Sequence, residues 1–179
     1  MKSRTKAITT VAVVLLVAAA AMTALMVFNK SPNLLDSEFR IIVTGSMDGE
    51  PQTEYDIETI PVDSLVAIHK LKGDAVEDVK VGDIIGFYSP SLKGNVYHRV
   101  ISIDKENRTF ITHGDANPPM QNEMVGFDEA NGVVVNVSPT AGKVISFMKS
   151  NVLYLVLMVI LLLAIIELIA YIIRMSKEE

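Results

Sequence analysis

Ser46 stands in Thr44-Gly45-Ser46-Met47, the stretch that follows the apolar run at residues 39–43. A serine nucleophile has to be exposed, held on a tight backbone and close to a base. The glycine gives the backbone that freedom, and neighbouring amides could then form an oxyanion hole. Gly-Ser is also a common turn pair, so Ser46 acquires meaning only through a partner that can take its proton.

Histidine suits that role, because its unperturbed pKa is ~6.5. The chain has three. His69 stands in Ala67-Ile68-His69-Lys70, a strand-like stretch with no acid to pair with. His113 directly precedes Gly114-Asp115-Ala116-Asn117, and His98 sits inside Val96-Tyr97-His98-Arg99-Val100. The stretches 96–103 and 108–112 read as a hairpin joined by a four-residue loop at 104–107. Ile103 then faces Arg108, His98 faces His113, and Asp115 is the diagonal neighbour of His98, ~7–8 Å away on the same face. Ser46, His98 and Asp115 would thus serve as nucleophile, base and orienting acid. The placement depends on register, since a slip of one residue turns His98 to the other face. A lysine base, Lys70 or Lys93, is the alternative within the same chemistry, and it requires desolvation to lower the amine pKa.

The elements that position these residues read mainly as strands: 38–43, 62–71, 84–88, 96–103, 108–112 and 132–137, separated by Gly-, Pro- and Asp-rich turns. Residues 47–60 form an acidic loop, 72–74 a turn, and 114–122 an irregular loop with two consecutive prolines. No long amphipathic helix is predicted between residues 29 and 143. The expected fold class is mainly β, an antiparallel folded sheet or partial barrel, flanked by two transmembrane helices.

Those helices are read from the two ends. Residues 1–6 carry Lys2, Arg4 and Lys6, and residues 7–28 hold no charge. At ~1.5 Å per residue the run makes about 33 Å of helix, against a hydrocarbon core of ~30 Å. A cleaved signal peptide shares the basic start, and Ala18–Ala21 offers small residues for a cut, but its apolar region is only ~7–15 residues long, which favours a retained anchor. Residues 152–173 form a second apolar run that contains Glu167 and is followed by Arg174 and Lys177. A mid-helix charge costs roughly 2.5–3.5 kcal/mol, which does not prevent spanning. Basic residues at both ends put 1–6 and 174–179 in the cytoplasm and residues 29–143 on the extracytoplasmic side of a multi-pass protein.

Composition removes several classes. The net charge of −5 and the lack of a basic patch argue against a nucleic-acid partner. The absence of cysteine excludes disulfides, thiolate metal sites and cysteine catalysis.

The ordered set Gly45-Ser46-Met47, Val81-Gly82-Asp83-Ile84, His98-Arg99-Val100 and Gly114-Asp115-Ala116-Asn117, behind an apolar segment, resembles type I signal peptidase of the archaeal and endoplasmic-reticulum branch, which some Gram-positive bacteria also carry. The resemblance covers roughly residues 5–140. It implies a membrane-bound serine endopeptidase that removes signal peptides from secretory preproteins and needs no metal or cofactor. It also implies small side chains at the first and third positions before the cut. Ser46 matches the family's nucleophile, His98 the histidine that replaces a lysine base, and Asp115 the aspartate of the Gly-Asp-x-Asn segment. Two positions depart from the pattern: Gly49 stands where a proline is usual, and Gln121 where a second aspartate is usual. Glu123 is the nearest acid to the latter and rivals Asp115 as the third member. A reading from another class is a membrane-anchored β domain that binds a partner, which gives no reason for the serine, histidine and Gly-Asp segments to occur together.

Overall fold

The structure is a computed structural model that describes residues 33–34, 37–51 and 53–176. The expected first helix at 7–28 and the N-terminal basic residues lie outside the described residues. The strands are β1 (Asn33–Leu34), β2 (Ser37–Ile41), β3 (Leu65–Lys70), β4 (Ile84–Ser89), β5 (Gly94–Asp104), β6 (Thr109–His113), β7 (Asn122–Gly126) and β8 (Ala130–Ser138). They make one eight-stranded open sheet in the order β1-β2-β3-β8-β4-β5-β6-β7. Every pairing is antiparallel. A 3-10 helix at Gly73–Asp78 lies between β3 and β4, and two α-helices follow β8: α1 (Pro139–Ser150) and α2 (Val152–Met175).

The sheet buries residues on both faces. One cluster gathers Val76, Val79, Ile85, Phe87, Val100, Phe110, Val125, Phe127 and Ala130. The other gathers Ile42, Met47, Ile60, Val66, Ile68, Ile84, Tyr97 and Val134. Each Val, Ile, Phe or Met among them, fully buried, contributes ~1.5–3 kcal/mol. β5 lies between the two clusters, and residues 97–100 are all buried. Successive side chains of a strand point to opposite faces. Tyr97 therefore joins one core and Val100 the other, while the two polar residues between them, His98 and Arg99, part company. His98 lies opposite Ile85, and Arg99 opposite Ile84.

The β5–β6 hairpin differs from the sequence expectation by register. Asp104 pairs with Thr109, so the loop is 105–108 rather than 104–107. The cause is local. Asp104 accepts hydrogen bonds from the backbone N–H of Asn107 at 3.0 Å and from its side-chain amide at 2.8 Å. Arg108 closes the turn with φ 49°. A bulge between Val100 and Ser102 then shifts the ladder again, and His113 faces Arg99 instead of His98.

The Asp104 carboxyl is held below its ordinary 3.8, chiefly by the Asn107 side-chain amide and then by the Asn107 backbone N–H. A folded-state pKa below the unfolded one contributes stability that is present above the unfolded value and lost as the pH falls through the folded one. Asp104→Ala is thus expected to lower the urea midpoint at pH 7 and to leave it unchanged well below pH 3. Equal loss at both pH values would show that the carboxylate is not what holds the turn.

The strand β7 and the helices at 73–78 and 139–150 were not expected from sequence. α1 opens with Pro139 at its first helical position, and Ser138 Oγ accepts from the Ala141 N–H at 3.4 Å, a start signal that was present in the chain. α1 is tied to the domain by Ser146, whose hydroxyl donates to Asp63 Oδ1 at 2.8 Å.

The sheet and the chain up to Ser146 form one compact unit, and the chain from Phe147 on belongs to another. In the latter, α2 has 24 residues, none of them buried, and is long and apolar enough to cross a membrane. It is the one such helix among the described residues.

Candidate functional site

Ser46 lies in the turn that follows β2, half-buried, with the Asp48 N–H bonded to the Gly45 carbonyl at 3.0 Å. Met47 anchors the turn from beneath: its side chain is 2 % exposed, and its carbonyl accepts from the Ile60 N–H at 2.9 Å and the Thr59 hydroxyl at 3.0 Å. On the other side the turn meets the segment Gly114–Asn117. The Ala116 N–H donates to the Ser46 carbonyl at 2.9 Å.

Two glycines make this approach possible. A Cβ at Gly49 would stand 2.8 Å from both the Ala116 nitrogen and the Asp115 carbonyl oxygen. This accounts for glycine where the resemblance leads one to expect proline. A Cβ at Gly114 would stand 2.8 Å from the Ser46 carbonyl oxygen and 2.9 Å from His98 Nε2. The space above Gly114 is where the serine segment and the imidazole converge.

His98 is 3 % exposed. Its Nδ1 lies 2.6 Å from Glu123 Oε2. Phe87 meets the ring edge-on, with centroids 5.9 Å apart. A carboxylate only accepts, so Nδ1 carries a proton, and the lone pair of the neutral imidazole is then the one at Nε2. Nε2 is buried and has no hydrogen-bond partner among the described residues. An imidazole fixed at one nitrogen by a carboxylate and open at the other is the arrangement of a general base.

Asp115, expected beside His98, is instead bound to Arg99. Arg99 Nε donates to Asp115 Oδ1 at 3.0 Å, and Nη2 donates to Oδ2 at 2.6 Å. Both side chains are almost fully buried, at 2 % and 4 % exposure. The shifted register is the reason: with His113 facing Arg99, the segment after it falls on the Arg99 side of β5. Glu123, the rival acid, occupies the place beside His98. It reaches that face from β7, opposite Thr112. Gln121 is exposed, and its N–H closes a turn onto the Pro118 carbonyl at 2.9 Å.

Arg99 is the residue that sequence reasoning undervalued. Besides Asp115 it donates to the carbonyls of Gly82 at 2.9 Å, Ile57 at 2.9 Å and Glu58 at 3.2 Å. The ring of Tyr55 lies against it, 4.6 Å from centroid to guanidinium carbon. One side chain therefore binds the acidic loop, the Gly82 turn and the Gly114–Asn117 segment into a single frame. The signal was a strand arginine next to the histidine, the two flanked as a pair by Tyr97 and Val100.

The remaining candidates stand apart. His69 is exposed on β3, and His113 Nδ1 lies 3.0 Å from Asn122 Oδ1. Lys93 is exposed in the β4–β5 turn with φ 51°. Lys70 lies 3.7 Å from Glu38 and is partly exposed. Neither lysine has the desolvated setting a lysine base needs. The Tyr97 phenol, on the Arg99 face, is pushed above its ordinary 10.0 by burial and stays protonated at neutral pH. Among the described residues no cluster of acids and histidines is arranged to hold a metal ion.

The chain matches no model of a known protein family, and no curated protein matches it.

Proposed function

We propose that the chain is a membrane-anchored serine endopeptidase that cleaves signal peptides from exported preproteins. The observation that supports this most directly is the buried His98, bound to Glu123 through Nδ1 and open at Nε2 beside the Ser46 segment. In the proposed reaction His98 Nε2 accepts the Ser46 hydroxyl proton as Oγ attacks the scissile carbonyl. Glu123 stabilises the imidazolium, which then protonates the leaving amine. Water, activated by the same nitrogen, releases the acyl group and restores the serine. The catalytic set is thus Ser46, His98 and Glu123, with Asp115 supporting the frame. α2 is the membrane anchor, the uncharged run at 7–28 a second one, and the sheet domain works on the extracytoplasmic side. Secretory preproteins are the substrates.

The test is cleavage of a preprotein in membranes that carry either the wild-type chain or Ser46→Ala. The wild type is expected to release the signal peptide and the variant to release none. A serine-directed acylating inhibitor should label Ser46 in the wild type. Retained cleavage by Ser46→Ala would sink the proposal.

A further inference from the structure

Thr112 is fully buried on β6, directly opposite Glu123 of β7. Its hydroxyl lies 3.3 Å from Glu123 Oε2, the same oxygen that stands 2.6 Å from His98 Nδ1. We propose that Thr112 is a positioning residue of the site: it fixes Glu123 Oε2 on the imidazole and so selects the Nδ1-protonated form of His98. This rests on the reading of His98 as the general base.

The need for such a device follows from where Glu123 sits. β7 is the last strand in the sheet order. The Glu123 side chain is 39 % exposed, whereas the His98 side chain is 4 % exposed. A long, flexible carboxylate on an edge strand can turn to water, where solvation competes with the imidazole for it. Thr112 opposes this from the buried side. It is β-branched, and its χ1 is restricted by the strand. Its hydroxyl supplies a second donor to Oε2, at 3.3 Å a longer contact than the 2.6 Å one to His98, and one that a turn of Glu123 toward water would break. A threonine that merely found the nearest acceptor would affect stability when altered, but not the protonation state of His98.

The experiment uses the full chain in detergent micelles, with 15N-labelled histidine and His98→Gln to assign the His98 signals. Thr112→Val removes the donor at nearly constant shape, and Thr112→Ser retains it. In Thr112→Val the Nδ1–H signal of His98 is expected to shift upfield and broaden. Preprotein cleavage should lose about tenfold in kcat with KM unchanged. Thr112→Ser should stay close to wild type in both readouts. If Thr112→Val does not fold, Thr112→Ala is read the same way. Wild-type His98 signals in the variant that lacks the hydroxyl, or loss of the signals in Thr112→Ser, would overturn the proposal. The Thr112→Val and Thr112→Ser spectra are also recorded in a Ser46→Ala background. A shifted signal there, together with a wild-type chain that cleaves nothing, would leave the Thr112–Glu123–His98 arrangement standing and remove the protease reading.

Discussion

Glu123→Gln is expected to lower kcat for preprotein cleavage by roughly 10³–10⁴ while the chain stays folded, and Asp115→Asn is expected to act first on stability. The amide keeps the size of the carboxylate and removes its charge. It also brings an NH₂ group that can face Nδ1 as a donor, which drives the imidazole proton to Nε2. In that tautomer Nε2 has no lone pair for the Ser46 proton, so the first step is blocked. The imidazolium formed in the transition state also loses its counter-charge. KM should change little, because Glu123 lies behind the imidazole rather than beside Ser46. Single-turnover cleavage with purified chain in membranes, paired with a thermal melt, separates the two effects. The assignment fails if Glu123→Gln cleaves at the wild-type rate, or if Asp115→Asn loses the rate while its melt is unchanged.

The antiparallel, mainly β character was legible because it rests on short-range signals: β-branched runs broken by Gly, Pro and Asp turns. The strands at 84–88 and 132–137 fall within β4 and β8, and the run at 152–173 within α2. β7 was not legible. Asn-Glu-Met-Val-Gly holds only two apolar residues, of which Met124 is 78 % exposed, so an edge strand with a single neighbour leaves almost no alternation to read. The pairing of acids with cations was misread for a different reason. It depends on register: the Asp104–Asn107 turn moves the pairing partner by two residues, and the bulge at Ile101 moves it back by one, which leaves a net shift of one at His98 and Arg99. A one-residue shift exchanges the faces of a strand. It therefore exchanges the partners of His98 and Arg99, two adjacent residues that each need a carboxylate. The Ser46 carbonyl and His98 Nε2 both lie close to the Gly114 position, but which carboxylate stands beside His98 could not be read without the ladder.

Asp115→Ala is expected to destabilise the sheet domain by ~3–5 kcal/mol, the range for removing one partner of a buried ion pair. The Arg99 guanidinium would remain buried, with three backbone carbonyls as acceptors but no counter-charge. Replacing both partners of such a pair with apolar side chains is often neutral. Here it should not be, because Arg99→Met with Asp115→Leu also strips the carbonyls of Gly82, Ile57 and Glu58 of their donor. Gly82 and Ile57 are half-buried and Glu58 is exposed, and an acceptor that stays shut off from water after losing its donor costs ~1–3 kcal/mol. The double variant is therefore expected to melt no higher than Asp115→Ala, and recovery to the wild-type midpoint would show that Arg99 is not the frame argued above. Activity should follow stability with one addition. The Ala116 N–H that holds the Ser46 carbonyl is the next amide after Asp115, so the fraction of Asp115→Ala that remains folded should cleave more slowly than wild type. The loss at Glu123 comes from the protonation of His98, whereas the loss at Asp115 comes from the position of Ser46. Only the Asp115 loss should shrink when the chain is cooled or otherwise stabilised.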